Sequence, residues 1–110
     1  MNPVEPARLI RGVNRAVRVH DTITMKATGD PQVMSGIIVI LDSFCLVEPE
    51  LLIGETARIV VGESTSEPLI IRAVRDHGAT ISFFIEGLSK TDVPIGSWVE
   101  FVSIDILRPR

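Results

Sequence analysis

The sequence predicts an all-β domain, a small six-stranded antiparallel β-barrel behind a flexible, basic N-terminal lead-in. Three observations carry this. Short runs rich in Val, Ile and Thr recur along the chain, and β-branched side chains suit a pleated, half-buried surface. Between them stand clusters of turn formers, "TGDPQ", "ESTSEP" and "DHG" among them, at the spacing of successive hairpins. No stretch repeats its apolar residues at helical spacing long enough for a long helix. Closing the sheet into a barrel removes the edges that such apolar strands otherwise expose.

At 110 residues, 45% of them hydrophobic, the chain is one domain with enough apolar side chains to bury a core. The lead-in is residues 1–16 and the barrel residues 17–107. Residues 1–10 contain two prolines and no alternation. From Val17 the period is two. Val17, Val19, Ile23 and Met25 fall on the inner face; Arg18, His20, Thr22, Thr24 and Lys26 fall on the outer face. Residues 35–47, "SGIIVILDSFCLV", are almost continuously apolar. They predict a strand covered on both faces, or one bulged near Asp42-Ser43. Residues 48–55 connect to a strand at 56–62, and 63–68 form a polar hairpin loop. Strands at 69–75 and 79–86 flank the turn "DHG". Residues 87–96 form a loop with room for one helical turn, and 97–107 is the last strand. Phe83 and Phe84 are adjacent, so they face opposite sides of their strand. One of them reaches the exterior, which makes that strand a candidate interaction face unless residues 1–10 or the 87–96 loop cover it. Trp98 is a candidate for the core or for a contact with a partner.

The net charge of −3 is unevenly spread. Residues 1–18 hold four arginines against Glu5, a charge of +3. Residues 19–107 hold five basic and thirteen acidic residues, a charge of −8, and Arg108 and Arg110 close the chain. A protein that tracks a nucleic-acid backbone needs a basic body, so nucleic acid is not the expected partner. The first ten residues have no apolar signal core, and no apolar run is long enough to span a membrane. The one cysteine, Cys45, sits in an apolar run and reads as a buried, reduced thiol. These features predict a cytoplasmic protein without membrane insertion.

The residue types of catalysis are present but scattered. His20, His77 and Cys45 are not at ligand spacing, so no metal is expected. Cys45 has no histidine near it in sequence, the loop serines lack a strained elbow, and no two carboxylates are paired by spacing. The chain is not expected to be an enzyme or to need a cofactor. "RGVNRAVR" (11–18) stands out instead. Arg11 and Arg15 are four apart, with Arg18 following. A guanidinium binds a phosphate or a guanine edge by two parallel hydrogen bonds and stacks on a base. Gly12 leaves the backbone between them free to bend. These arginines can wrap a small phosphorylated guanine ligand, or remain a solvated charged segment.

Arg11-xxx-Arg15 is followed by a strand, a Gly-led apolar strand from Gly36, "EPELLIGETARIVV" and "PLIIRAVRDHGATISFFIEGLS". Over roughly residues 11–92 this order resembles a PilZ domain. The resemblance implies a six-stranded barrel that binds cyclic di-GMP, with Arg11 and Arg15 holding phosphate and stacking on guanine. The family's second motif, Asp/Asn-x-Ser-x-x-Gly, falls on "ILDSFC" (40–45) and is altered. Ile40, Asp42 and Cys45 stand where Asp/Asn, Ser and Gly are expected. In a register shifted by two, Asp42 meets the acid position but Phe44 stands at the Ser position. Asp42-Ser43 keeps the residue types without the spacing. Each lost partner to the ligand costs about 1–3 kcal/mol. The resemblance therefore implies either a cyclic di-GMP receptor using Arg11, Arg15, Arg18, Asp42 and Ser43, or a degenerate member that works through a protein partner. The C-terminal part departs from the family, which often ends in a helix. "FFIEGLSKTDVPIGSWVEF" (83–101) and "GETARIVVG" (54–62) instead resemble the second β-barrel domain of translation elongation factor Tu. That resemblance implies a module binding a protein or RNA.

Overall fold

The computed structural model describes residues 8–9, 15–26 and 35–101. Its strands are β1 (Arg8–Leu9), β2 (Arg15–Met25), β3 (Gly36–Leu41), β4 (Thr56–Val61), β5 (Ser64–Thr65), β6 (Leu69–Ile70), β7 (Ala73–Asp76), β8 (Ile81–Glu86) and β9 (Trp98–Phe101). A single 3-10 turn, Pro49–Leu52, lies between β3 and β4. The all-β expectation holds. Every pairing is antiparallel, in the order β5-β4-β9-β2-β3-β8-β7, with β1 on β2 and β6 on β4.

The sheet is open where a closed barrel was expected. The cause is a break in the run 69–75, expected as one strand. Its first part pairs with β4 through Thr56↔Ile70, and its second part pairs with β8 through Ala73↔Phe84. At the break, Ile71 is fully buried. Its carbonyl accepts from the Gly54 amide at 2.8 Å, its own amide donates to the Glu55 carbonyl at 2.9 Å, and the Arg72 amide donates to the Phe84 carbonyl at 2.9 Å. Three individual hydrogen bonds thus tie the two ends of the sheet together in place of a continuous ladder. Six expected strands become nine pieces because β1, β5 and β6 are two-residue fragments. The lead-in takes part in this sheet: Arg8 pairs with Ala16, and β2 starts at Arg15. The rest of residues 1–14 lies outside the described residues, as do 27–34 and 102–110.

The most consequential departure lies in β2. The register runs Val19↔Leu41 and then Asp21↔Ile40, so β2 has one extra residue, His20, against β3. A bulge of this kind reverses the alternation beyond it. Val17 and Val19 are buried as expected, but Thr22 is only 3% exposed and Ile23 is 47% exposed. Thr22 therefore points inward and Ile23 and Met25 outward, the reverse of the simple period-two reading. The extra residue offsets the alternation by one, which no pattern of residue types in "VRVHDTITM" announces.

The core is centred on three aromatic rings. Phe44 stacks on Phe101 with centroids 5.7 Å apart, and Phe83 meets Phe101 edge-on at 6.1 Å. Such pairs add about 0.5–1.5 kcal/mol beyond their burial. Val17, Val39, Leu52, Ile59 and Val99 are among the aliphatic residues packed in the same cluster. Phe83 is buried and Phe84 half-buried on the opposite face, as their adjacency predicts. The ring of Phe84 lies over Gly36 on β3. A Cβ at Gly36 would sit 2.8 Å from that ring and closer still to the Ile85 carbonyl oxygen. Glycine is needed here for space, because the Ile85 carbonyl and then the Phe84 ring fill the place of a side chain.

The long apolar run ends as a strand at Leu41 and bends at Asp42-Ser43, where Ser43 has φ +47°. Cys45 is consequently half-buried in irregular chain, not deep in a strand, and its thiol donates to the Gly78 carbonyl at 3.0 Å. The 87–96 segment forms turns without a helix, and the Asp92 carboxylate accepts from the Ser89 amide at 2.8 Å.

Gly36→Ala is expected to destabilise the fold by about 1–3 kcal/mol, the usual cost of overpacking. Denaturant unfolding measures it. Adding Phe84→Leu to Gly36→Ala should recover part of the loss, because the clash with the ring is relieved.

Candidate ligand-binding site

A backbone hydrogen bond holds Arg18 beside the Asp42–Ser43 bend, next to the bulge. Just before it, the Arg18 carbonyl accepts from the Asp42 amide at 2.9 Å. At the next residue, still before it, the Val19 amide donates to the Ser97 carbonyl at 2.8 Å and the Val19 carbonyl accepts from the Gly96 amide at 3.0 Å. The start of β2 is therefore held between two connections, the 42–43 bend and the 94–97 turn.

On the outer face of β2, Arg18 is directly opposite Trp98 of β9. Its guanidinium carbon lies 4.9 Å from the indole centroid, a cation–π contact. Trp98 is half-buried and beside the core, not within it. It borders a shallow groove of mixed polarity with Val61, Pro94 and Ile95, and Ile95 is 68% exposed. Asp42 and Ser43 are both exposed. They stand in a bend, with Ser43 in the left-handed region at φ +47°.

A single side chain fastens this bend. Thr80 donates its hydroxyl to the Leu41 carbonyl at 2.7 Å, and the same oxygen accepts from the Phe44 amide at 3.1 Å. It thus satisfies backbone groups on both sides of Asp42-Ser43. Nearby, His77 Nε2 and the buried Ser82 hydroxyl are 2.7 Å apart. His20 and His77 are exposed, and among the described residues no three of His, Cys, Asp and Glu gather to hold a metal ion.

Of the five residues chosen from the sequence, Arg18 and Asp42 are joined by a backbone hydrogen bond, Ser43 is next to Asp42 in the chain, and the Arg18 guanidinium lies over Trp98. Arg15 heads β2 and pairs with Phe101. Arg11 lies outside the described residues. Sequence reasoning missed Thr80 and the partnership of Arg18 with Trp98. Thr80 is an ordinary polar residue before a strand, and Arg18 and Trp98 meet only through the β2–β9 register, which no local pattern reveals. Comparison with family models, with curated proteins and with solved structures finds no match for this chain.

Thr80→Val keeps the shape but removes the hydroxyl, leaving the Phe44 amide and Leu41 carbonyl without it. Stability is expected to fall by about 1–3 kcal/mol. In hydrogen exchange, the amide of Phe44 should lose protection more than those of β4 and β9. Uniform loss across the sheet would contradict the local role given to Thr80.

Proposed function

We propose that this domain is a non-enzymatic, PilZ-like binding module. Its ligand is cyclic di-GMP, taken where the start of β2 meets the Asp42–Ser43 bend. The observation that carries this reading is the 2.9 Å hydrogen bond from the Asp42 amide to the Arg18 carbonyl. It sets the Arg18 backbone beside the altered second motif, which supports the PilZ-like reading. In this reading Arg11 and Arg15 hold the phosphates, and Arg18, already over the Trp98 ring, offers its guanidinium to a base. Asp42 and Ser43 offer a carboxylate and a hydroxyl to the guanine edge. Their adjacency, a departure from the motif on a strand, is accommodated because they stand in a bend with Ser43 in the left-handed region. A cytoplasmic location and the absence of catalysis belong to the same proposal. The acidic body supports a small anionic ligand held at one basic end over a long nucleic acid.

Calorimetric titration with cyclic di-GMP at physiological salt tests this. The protein is expected to give saturable heat at micromolar ligand. Arg15→Ala and Asp42→Ala should each weaken binding by about ten- to a hundredfold, the worth of one charged hydrogen bond, with unchanged circular dichroism. No heat from the wild-type protein would overturn the receptor reading in favour of a degenerate member acting through protein contacts. The groove beside Trp98 and Ile95 would then be the first surface to examine.

A further inference from the structure

The bulge has an effect on the opposite half of the sheet as well. Beyond His20, the outward positions of β2 continue across β3, β8 and β7 as straight cross-strand rows. One row reads Ile23↔Ile38↔Phe84↔Ala73 and is apolar throughout. Ile23 and Ala73 are exposed at its two ends, with Ile38 and Phe84 half-buried between them. Met25, 38% exposed, extends the apolar surface on β2. The adjoining row reads Asp21↔Ile40↔Ser82↔Arg75. It has an acid at one end and a base at the other, both exposed. Neither is in an ion pair with another described residue.

We propose that this outer face of β2-β3-β8-β7 is a homodimer interface whose occupant is a second copy of the chain. The rows are self-complementary under a two-fold axis parallel to the strands and passing between β3 and β8. That operation lays β2 of one copy over β7 of the other. Asp21 then faces the partner's Arg75, and Arg75 faces the partner's Asp21. The apolar row lies on the apolar row. Ile23 projects toward the shallow notch that Ile38, Ala73 and Phe84 help to line on the partner. Both protomers use one patch, as closed two-fold assemblies do, and the strands stay within the small angle of aligned sheet packing. Charge complementarity selects this occupant: a partner of uniform charge would be repelled at one end of the row. The patch is four strands wide, with neighbours about 4.8 Å apart. A patch of this width lies at the small end of specific interfaces, below roughly 1,200 Å² in total, which suits a reversible association.

Sedimentation equilibrium of the full chain tests the pairing through charge reversal. The wild-type protein is expected to dimerise with rising concentration. Asp21→Arg alone and Arg75→Asp alone should each weaken self-association at least about tenfold, since each places two like-charge pairs across the axis. An equimolar mixture of the two variants should recover near wild-type association, because a mixed dimer again pairs opposite charges at both ends. Ile23→Asp, at an exposed position, should leave the circular dichroism unchanged and abolish the dimer. A wild-type protein that stays monomeric at millimolar concentration overturns the proposal and assigns the face to a segment of its own chain or a different partner. A mixture no tighter than its components, or a dimer indifferent to Ile23→Asp, overturns it equally.

Discussion

The extra residue at His20 is the constraint on which the rest of the structure depends. On a strand, each side chain is committed to one face by its place in the alternation, and a one-residue insertion exchanges the faces for everything that follows. Before the bulge, β2 directs Val17 and Val19 into the core and Arg18 outward onto Trp98. After it, Thr22 turns inward and Ile23 and Met25 turn outward. Two surfaces of different chemistry arise from one strand, a cationic and aromatic one at its start and an apolar one at its end. The bulge is also where β2 exchanges neighbours. Its first residues pair with β9, its later ones with β3, and the backbone of Arg18 and Val19 binds both flanking connections.

The core accommodates these changes because it is built from few, large, well-fixed side chains. Phe44 comes from the irregular chain after β3, Phe83 from β8 and Phe101 from β9, and their rings meet in pairs. Phe44 is thus tied to the core while the two residues before it form the exposed bend. Thr80 joins the same places from the other side. A rigid anchor next to an exposed bend is the arrangement that a binding site needs, since its side chains are then held without being buried. The open sheet follows the same economy. Around the break Leu69 packs on the core and Ile71 is fully buried, while Ile70 between them is 44% exposed.

Much of the fold was legible in the sequence, because turns and β-branched runs are local signals. The hairpin at "DHG", the strands at 56–61 and 81–86 and the opposite facing of Phe83 and Phe84 all follow from residue type and spacing. What was not legible is non-local. The bulge depends on register against β3, the contact between Arg18 and Trp98 on register against β9, and the opening of the sheet on hydrogen bonds from Gly54, Glu55 and Phe84 to the break in 69–75. The candidate site divides in the same way. Asp42 and Ser43 stand out by chemistry, but their nearness to Arg18 is a product of the topology. Thr80, which holds them, carries no sequence signature at all.

The face exchange in β2 is the claim from which both proposed surfaces derive, and methyl nuclear Overhauser contacts in solution test it most directly. The account predicts that the Ile23 methyls contact those of Ile38, while the Thr22 methyl contacts Val39 and the interior. Ile23 contacts to Ile37 and Ile85, with Thr22 in solvent, would show an unbulged strand and contradict the face exchange.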